Sequence, residues 1–420
     1  MPERVELRLG RATLAGARRH GVTRFGALRY AQAPVGELRF APPVAATLQG
    51  DVDATGVASI APQLPSQLGK VLGTCDAPQS EDCLHVTVWT PDADAAQRPV
   101  VVWCHGGAWQ SGGVLNWYDG QALARRGNVV VVGVSIRLGP LGWLMAEGGV
   151  ANLGLLDLDL ALQWVTQHIA SFGGDPHRVT AMGQSAGGVN IAALLMRGGL
   201  PFQRAILQSA PLGRGFRSAD AALSIGKTLL RAAGAADLQE ARGLPVQALL
   251  RAQLAPEVTS AVRAQADGHG LFAPVLDGVT QPPSVTPLAS GAARQVDVLV
   301  GWNRDEMRAF TAAGEPADDE TQRRFAEPAR QWAAQAALAG RRAWLYRFDG
   351  APGMPFGACH GAELPFVFGT RDAFASAPML QALAAADARR LTHALQGAWL
   401  DFVHGRPPGW APSPHVHVFE

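Results

Sequence analysis

Two runs of β-branched residues limit most strongly what this chain can fold into. They read RPVVVWC (98–104) and NVVVVGV (128–134), and neither alternates apolar with polar positions. Strands of this kind are buried on both faces, which is typical of a parallel sheet covered by helices. The segment GLLDLDLALQWVTQHIASF (154–172) follows with apolar residues at helical spacing. We therefore predict an α/β fold with a mainly parallel central sheet and helices on both faces.

The chain reads as one domain. It has 420 residues, 48% of them hydrophobic, and a chain of this size buries roughly three quarters of the surface that its unfolded form exposes. Its most linker-like stretch is AAGEPADDETQRR (312–324), which is acidic and has no apolar period. The alternating segment VELRLGRATLAG (5–16) predicts an edge hairpin. We predict a single domain over residues 1–420.

Charge and composition exclude several kinds of partner. The 36 basic and 35 acidic residues leave a net charge of +1, which gives no reason to expect nucleic acid or an anionic membrane. No run approaches the ~18 uncharged apolar residues of a membrane span, and the N-terminal segment lacks the apolar core of a secretory signal. The four cysteines form no metal-binding CxxC pair. We expect a cytoplasmic protein with reduced thiols and no metal, while its oligomeric state, monomer or homo-oligomer, stays open.

A serine stands between glycines in the segment RVTAMGQSAGGVNIAAL (178–194). The residues before it predict a short buried strand, and those after it predict an apolar helix. Such a strand–turn–helix setting is typical of a nucleophile elbow, whereas a bare Gly-x-Ser-x-Gly match is more often a loop or a helix cap. Ser185 is therefore a candidate nucleophile. The N–H of Ala186, at the helix N-terminus, is a candidate oxyanion donor.

Polar loops follow the other predicted strands, whose carboxyl ends meet at one edge of the sheet. His105-Gly106-Gly107-Ala108-Trp109 follows VVVWC, and the N–H groups of Gly107 and Ala108 are candidates for further oxyanion donors, with a plain glycine turn as the alternative. Asp305 and Glu306 follow VDVLV and compete as the orienting acid. They could also form only a solvated acidic turn.

His360 lies in a loop after AWLYRF and is the candidate general base. Histidine has a pKa suited to proton transfer near neutrality. A loop histidine is usually only solvated, but the order Ser185, acid, His360 is the order of the α/β-hydrolases. The other histidines fit this order less well.

Together these segments resemble the type-B carboxylesterases of the α/β-hydrolase superfamily, a family that includes bacterial p-nitrobenzyl esterases and the cholinesterases. The resemblance covers most of the chain and rests on the following segments: YAQAPVGELRFAPP (30–43), SEDCLHVTVWTP (80–91), VWCHGGAW (102–109), NLGLLDLDLALQWVTQHIASFGGDPHRVTAMGQSAGG (152–188), FAPVLDG (272–278), GWNRDE (301–306) and CHGAELPFVFG (359–369).

The resemblance implies roles for particular residues. It makes Glu306 the acid and His360 the base, and it places Ser209 near the acid as a supporting hydroxyl. It implies a carboxylic-ester substrate, with no cofactor and no metal. It also implies a bacterial source, since the Gly-Gly-Ala form of the oxyanion loop, with Gly106 as its first glycine, occurs in bacterial members.

Three departures from the family pattern bear on function. Gln184 stands where the family commonly has glutamate, which removes a negative charge beside the imidazolium and argues against a site for cationic choline esters. Cys83 lacks the cysteine partner that many members supply, which supports a reduced protein. Glu306 and His360 are only 54 residues apart, shorter than usual, so we predict a rim trimmed around 312–324 and a pocket open to bulkier groups.

We predict a serine carboxylic-ester hydrolase that works through an acyl-enzyme on uncharged small-molecule esters. Acyl transfer to an alcohol or amine would use the same residues, and amide cleavage shares the same triad. A non-enzymatic binding module is disfavoured, because the serine, acid and base positions are all filled. Four aromatic residues are candidates for lining the pocket, with the core as an equal alternative: Trp109, Phe272, Trp302 and Phe366.

Overall fold

A large sheet built around the predicted β-branched runs organises the molecule. The computed structural model describes residues 2–199, 201–283, 287–288, 290–311 and 318–420. Within them lie the strands β1 (Glu3–Leu9), β2 (Arg11–Arg19), β3 (Val22–Arg29), β4 (Gln49–Asp53), β5 (His85–Thr90), β6 (Arg98–Cys104), β7 (Val130–Val134), β8 (Gly174–Gln184), β9 (Arg204–Gln208), β10 (Arg217–Ser218), β11 (Val275–Leu276), β12 (Asp297–Asn303), β13 (Ala343–Phe348) and β14 (Val416–Phe419).

Helices connect these strands and cover the sheet. They are α1 (Gly69–Leu72), α2 (Gln121–Gly127), α3 (Gly139–Trp143), α4 (Leu153–His168), α5 (Ala186–Arg197), α6 (Ala219–Ala233), α7 (Leu238–Arg242), α8 (Val246–Ala252), α9 (Pro256–Ala264), α10 (Asp318–Thr321), α11 (Glu327–Leu338), α12 (Leu364–Phe368) and α13 (Ala385–Val403). A π-helical turn, Gln322–Ala326, joins α10 to α11. Short 3₁₀ turns lie at Gly36–Leu38, Asn116–Tyr118, Ile169–Phe172, Leu212–Arg214, Ala292–Arg294, Glu306–Ala309, Arg371–Phe374 and Pro378–Leu380.

The order of strands in the sheet is β1-β2-β3-β5-β7-β6-β8-β9-β12-β13-β14, with β4 paired to β2. Every neighbouring pair from β7 to β14 is parallel, while β1, β2, β3, β5 and β7 pair antiparallel in turn. The predicted edge hairpin is β1 and β2. Four of the seven β1 residues are exposed, and these four are charged: Glu3, Arg4, Glu6 and Arg8.

Apolar side chains alternate between the two faces of the parallel strands. Val100 and Val102 of β6 belong to one buried cluster with residues of α4, α5 and α11. Val101 and Trp103 of the same strand belong to a second cluster with residues of α2, α12 and α13. The near-continuous apolar run is thus explained by two helical layers, and the predicted mainly parallel sheet with helices on both faces is confirmed.

The linker-like interpretation of 312–324 is wrong for residues 318–324. These residues are helical and run without interruption into α11, which packs on the sheet through the buried residues Trp332, Ala333 and Ala336. Their acidic start suits a helix N-terminus, where carboxylates interact favourably with the helix dipole. Residues 312–317 lie outside the described residues.

The strand ends that matter for function share one edge. Cys104 of β6 pairs with Gly183 of β8, and Gln184 of β8 pairs with Gln208 of β9. Gln208 in turn pairs with Gly301 of β12. Because these strands are parallel and in register, the loops that follow them converge at the carboxyl edge of the sheet. No helix among the described residues is long and apolar enough to cross a bilayer.

Candidate active site

Ser185 lies at the sharp turn between β8 and α5. β8 ends at Gln184 and α5 begins at Ala186, so a single residue joins strand to helix. Its backbone adopts φ 53° and ψ −124°, a conformation that costs a non-glycine residue about 1–3 kcal/mol. The Ser185 N–H donates to the Gln208 carbonyl oxygen at 2.9 Å, which extends the pairing of β8 with β9. The serine is half-buried at the carboxyl edge of the sheet.

Close packing requires both glycines of the serine motif. A Cβ on Gly183 would lie 2.6 Å from the carbonyl carbon of Gly187. A Cβ on Gly187 would overlap the carbonyl oxygen of Cys104 at the end of β6. A side chain at either position would force the turn open, so these glycines let α5 start directly after the strand.

His360 and Glu306 form a buried pair at the same edge. Nδ1 of His360 lies 2.6 Å from Oε2 of Glu306, and both side chains are buried. Oε1 of Glu306 accepts the N–H of Asn303 at 2.8 Å, so the carboxylate is held on both oxygens. Because a carboxylate only accepts, Nδ1 of His360 carries the proton and Nε2 of the neutral ring is an acceptor.

Nε2 of His360 faces the residue before the serine. Nε2 of the Gln184 carboxamide lies 3.2 Å from it. The Ser185 hydroxyl makes no hydrogen bond within the part of the chain that the structure describes. The structure therefore places Ser185, Glu306 and His360 at one strand edge, with Gln184 in contact with the imidazole.

The two acidic residues after β12 have different partners. Oδ2 of Asp305 accepts the Ala358 N–H at 2.9 Å, and the Asp305 N–H donates to the Ala358 carbonyl oxygen at 3.0 Å. Asp305 also pairs with Arg304 at 3.0 Å. Asp305 thus anchors the loop that carries His360, while Glu306 is the carboxylate that contacts the ring.

Three backbone N–H groups around Ser185 are unengaged. Gly107 and Ala108 lie in the loop after β6, and Ala186 is the first residue of α5. None of these three N–H groups donates a hydrogen bond to another described residue. A Cβ on Gly106 would lie 3.1 Å from Cβ of Ser185, so this loop runs directly against the serine. The three candidate oxyanion donors are therefore free to bind an external acceptor.

The backbone of this loop, residues 106–113, is tightly turned. Gly107 has φ 108° and Ala108 has φ 52°. The Gly107 carbonyl oxygen accepts hydrogen bonds from the N–H groups of Gln110 and Ser111, each at 3.0 Å. A Cβ on Gly107 would overlap the Ser111 carbonyl oxygen, so glycine is required there.

Gln63 clamps the far end of the loop. Its Oε1 accepts the N–H of Gly112 at 2.8 Å, and its Nε2 donates to the Gly112 carbonyl oxygen at 2.8 Å. Gln79 holds Gln63 in turn, since its Oε1 accepts the Gln63 N–H at 3.0 Å. Sequence reasoning missed this contact because Gln63 and Gly112 are 49 residues apart and no motif links them.

With this geometry in place, comparison with known proteins decides the family. A model described as "Carboxylesterase family" matches residues 2–327, well over half of the chain. The chain belongs to the carboxylesterase family. The resemblance inferred from the sequence motifs is confirmed, and with it the assignment of this protein as a carboxylesterase enzyme.

Curated relatives match this carboxylesterase over nearly its whole length. A probable N-octanoylanthranilate hydrolase of Rhodococcus erythropolis is 39% identical and aligns over 93% of this chain and 91% of the relative. The para-nitrobenzyl esterase of Bacillus subtilis (strain 168) is 35% identical over 92% of this chain and 87% of the relative. The mouse cholinesterase is 34% identical, but over 70% of this chain and 52% of its own length.

Solved structures show the same architecture. A thermophilic PNB esterase superposes with a TM-score of 0.86 at 31% identity, covering 98% of this chain and 94% of the other. A carboxylesterase of Geobacillus stearothermophilus gives a TM-score of 0.80 at 29% identity, covering 98% and 93%. This carboxylesterase therefore has the α/β-hydrolase fold that the motifs predicted.

Behind the contact between Glu306 and His360, the carboxylesterase buries a second glutamate. Oε2 of Glu363 accepts from Nδ2 of Asn303 at 2.6 Å, and Oε1 accepts from Nε2 of Gln208 at 3.1 Å. Burial raises the pKa of Glu363 above its usual value, and the negative charge of Glu306 raises it further. Sequence reasoning did not single out Glu363, although it lies in the quoted segment CHGAELPFVFG.

Ser209, which the resemblance places near the acid, makes a hydrogen bond through its backbone. Its N–H donates to the Gly301 carbonyl oxygen at 2.9 Å, so its backbone extends the pairing of β9 with β12. Its hydroxyl is buried and has no hydrogen-bond partner among the described residues. A supporting role for this hydroxyl therefore stays a prediction, without a hydrogen bond to Glu306.

Aromatic side chains flank the imidazole. The rings of Phe310 and Phe325 lie with their centroids 5.1 and 5.5 Å from that of His360. Phe310 is 46% exposed, whereas Phe325 is buried. Neither was among the four aromatic candidates, which the structure buries: Trp109, Phe272, Trp302 and Phe366.

The remaining polar groups suggest no metal centre in the described part of the chain. No group of three histidine, cysteine, aspartate or glutamate side chains is arranged there to hold an ion. The four cysteines, Cys75, Cys83, Cys104 and Cys359, are free thiols. Burial raises the pKa of Cys104 to about 12, so this thiol stays protonated at neutral pH.

Proposed function

We propose that this carboxylesterase hydrolyses uncharged small-molecule esters through an acyl-enzyme on Ser185. The observation that carries the proposal is the convergence at one sheet edge of a strained serine, a His360–Glu306 pair at 2.6 Å and three unengaged N–H groups. Acyl transfer chemistry needs a nucleophile, a base and a stabilised oxyanion, and this edge has a candidate group for each.

In the first half-reaction, the Ser185 oxygen attacks the ester carbonyl carbon while its proton moves to Nε2 of His360. Nε2 can accept because the proton of the neutral ring is held on Nδ1 by Glu306. The imidazolium formed is stabilised by the Glu306 carboxylate. His360 then gives its proton to the departing alcohol oxygen, and the carbon–oxygen bond of the ester breaks.

The negative charge on the former carbonyl oxygen would be held by the N–H groups of Gly107, Ala108 and Ala186. These donors are fixed before substrate arrives, so they need no reorganisation when the charge develops. Ala186 adds the favourable end of the helix dipole of α5. Loss of one such donor typically costs about 10²–10³ in rate.

In the second half-reaction, water replaces the alcohol. His360 takes a proton from the water as the water oxygen attacks the acyl carbon, and returns it to Ser185 when the tetrahedral intermediate collapses. The products are the carboxylic acid and the free enzyme. Each proton in this cycle moves between groups of this chain, the substrate and water, so the proposal requires no cofactor.

The preference for uncharged esters is supported by the neutral group beside the base. Gln184 occupies the position next to His360 where a carboxylate would attract a cationic substrate. The exposed Phe310 adds apolar surface at the mouth of the site. Both features favour an apolar acyl or alcohol group over a quaternary ammonium group.

The test is hydrolysis of p-nitrophenyl esters from acetate to decanoate by the wild type and by Ser185→Ala. The wild type should turn over several of these esters. The variant should retain about 10⁻⁴ of the wild-type activity or less, since the nucleophile is gone. Ser224→Ala is the matched control, because it removes a serine hydroxyl from the exposed surface of α6.

Equal turnover by the wild type and Ser185→Ala would contradict the proposal. A wild type that is inert towards every ester would contradict it as well. The chain-length profile adds information of its own, because the ester with the highest kcat/KM measures the length of acyl group that the pocket accepts.

A second candidate function is hydrolysis of N-acyl aromatic amines. The observation that favours it is the 39% identical relative named as a probable N-octanoylanthranilate hydrolase. An ester and an N-acyl amine pass through the same kind of tetrahedral oxyanion, so the same residues would act. Octanoyl anilide and phenyl octanoate should be compared with the same enzyme preparation. Turnover of the anilide that disappears in Ser185→Ala would establish this function.

We also propose that the enzyme works in the cytoplasm of a bacterium. The free thiols of Cys75 and Cys83 support a reducing compartment, and the Bacillus and Rhodococcus relatives support a bacterial source. Fractionation of the source cells with an antibody to the protein would test this location.

A further inference from the structure

The substrate-free site contains a hydrogen bond that the mechanism must break. His360 uses Nδ1 to donate to Glu306, so the lone pair on Nε2 is its only remaining site for accepting a proton. That lone pair faces the amide nitrogen of Gln184 at 3.2 Å. An amide N–H therefore occupies the position that the Ser185 hydroxyl needs for proton transfer.

The carboxamide of Gln184 is buried between the oxyanion loop and His360. The side chain is buried, with 4% of its surface exposed. Its Oε1 lies against the oxyanion loop, where a Cβ on Gly106 would approach it to 2.5 Å. With its oxygen directed at Gly106 and its nitrogen at His360, the carboxamide is wedged between the oxyanion loop and the base.

We propose that Gln184 is a positioning residue that holds the free enzyme in a resting state. Its amide N–H occupies Nε2 of neutral His360 and must yield that nitrogen to Ser185 before the serine can react. This inference rests on the proposed function of Ser185 and His360. The carboxamide itself exchanges no proton, because it is neutral before and after the step.

The groups that face His360 set the background for its charge. Glu306 contacts the ring directly, and Glu363 is buried close behind it. Asp305 is paired with Arg304 and Arg308. The uncharged rings of Phe310 and Phe325 also pack beside the imidazole.

Beside these carboxylates, the Gln184 amide gives His360 a hydrogen-bond donor but no charge. Replacing it should therefore separate two effects. An isosteric apolar side chain removes the donor only, whereas a glutamate removes the donor and adds a negative charge.

The test uses phenylmethanesulfonyl fluoride, an uncharged reagent that requires only the first proton transfer. The Ser185 oxygen forms a bond to sulfur, the sulfur–fluorine bond breaks, fluoride leaves, and the serine proton moves to His360. The inactivation rate is measured from pH 5 to 9 for the wild type, Gln184→Met and Gln184→Glu. Mass spectrometry of the labelled peptide shows whether Ser185 carries the sulfonyl group.

For Gln184→Met we expect the rate on the high-pH plateau, where His360 is neutral, to rise about two- to tenfold. That factor corresponds to one ordinary hydrogen bond that no longer has to be displaced. For Gln184→Glu we expect the acidic limb of the profile to move to higher pH by about 1 unit or more, since a carboxylate beside the ring favours the imidazolium. Circular dichroism confirms that each variant is folded.

A plateau in Gln184→Met that is unchanged or lower than in the wild type would overturn the resting state. An acidic limb that does not move in Gln184→Glu would overturn the contact with His360. Failure of the proposed function has a different signature, because Ser185 of the wild type would then carry no label at any pH.

Discussion

At the scale of single residues, identical side chains have different properties because their surroundings differ. Glu306 and Glu363 are both fully buried, yet Glu306 is the one that binds the His360 imidazole among the described residues. Glu363 accepts hydrogen bonds from two neutral amides, those of Asn303 and Gln208. Its negative charge is therefore poorly compensated, and burial followed by the charge of Glu306 raises its pKa.

A pH dependence of stability follows from this raised pKa. In the unfolded chain Glu363 loses its proton near pH 4.3, roughly the ordinary value for glutamate, whereas in the folded chain it keeps the proton to higher pH. Between these two pKa values the unfolded state binds fewer protons, so stability falls as pH rises. Each unit of raised pKa costs the folded protein about 1.4 kcal/mol once Glu363 is ionised.

Glu363→Gln should remove this loss. The apparent Tm of the variant minus that of the wild type is expected to rise as pH increases above about 4.3, and to level off above the raised pKa. Thermal unfolding of both proteins from pH 4 to pH 8 measures the difference. The exposed Glu147→Gln is the control, for which the Tm difference should stay flat. A flat difference for Glu363→Gln too would contradict the prediction.

At the scale of elements, the oxyanion loop depends on a side chain from a distant segment. Gln63 binds both the N–H and the carbonyl oxygen of Gly112, in the way that a neighbouring strand would. Gly107, Ala108 and Trp109 all have positive φ and lie outside the sheet, so the loop is fixed by contacts such as this clamp and the hydrogen bond from the Gly139 N–H to the Trp109 carbonyl oxygen. Without the clamp, we expect the unengaged N–H groups of Gly107 and Ala108 to lose their fixed direction.

We expect Gln63→Ala to lower kcat on p-nitrophenyl butyrate by about tenfold or more, with little change in KM. The oxyanion exists only in the transition state, so misplaced donors affect the chemical step more than substrate binding. Gln49→Ala, which truncates an exposed glutamine of β4, is the matched control. A Gln63→Ala enzyme with the wild-type kcat would show that the loop keeps its shape without the clamp.

Local patterns predicted the elements well and the contacts between them poorly. The strand ending at Cys104 and the helix starting at Ala186 follow from β-branched runs and from glycine positions, which act within a few residues. The clamp of Gln63 and the burial of Glu363 depend on packing between segments far apart in sequence, which no periodicity reports. Residues 318–324 were mistaken for a linker because they have no apolar period of their own. Their helix continues into α11, and the buried side chains of α11 stabilise it.

At the scale of the whole molecule, the three candidate site residues were predicted from their order along the chain, which is the order of the α/β-hydrolases. The chain order of Ser185, Glu306 and His360 required no knowledge of distances, because a parallel sheet brings its strand ends to one edge. Residues alone left Asp305 and Glu306 as alternatives. The family resemblance favoured Glu306, and the structure shows the contacts themselves: Asp305 binds Ala358, and Glu306 binds the His360 ring.

The short connection from Glu306 to His360 leads to a prediction about substrate size. Glu306 and His360 are 54 residues apart, and between them lie the helical segment from α10 to α11 and the strand β13. Phe325 of the helical segment packs against His360. With less chain available to build walls, the pocket should accept branched acyl groups.

We expect kcat/KM for p-nitrophenyl trimethylacetate to lie within about tenfold of that for the straight-chain valerate. A fitted apolar pocket discriminates about 10- to 200-fold for a single methylene, so a narrow site would reject the branched ester more strongly. Initial rates on the two esters decide the point. Rejection of the branched ester by 100-fold or more would show that the remaining rim still forms a narrow site.

The charged outer strand β1 has a consequence for handling the protein. A sheet edge offers unpaired backbone groups to any strand that approaches it, which is a common start of precipitation. Here Glu3, Arg4, Glu6 and Arg8 place both signs of charge along that edge, so a second copy would have to desolvate them to add its own strand. To keep concentrated protein in solution, the first nine residues should therefore be left intact, and affinity tags should be attached elsewhere.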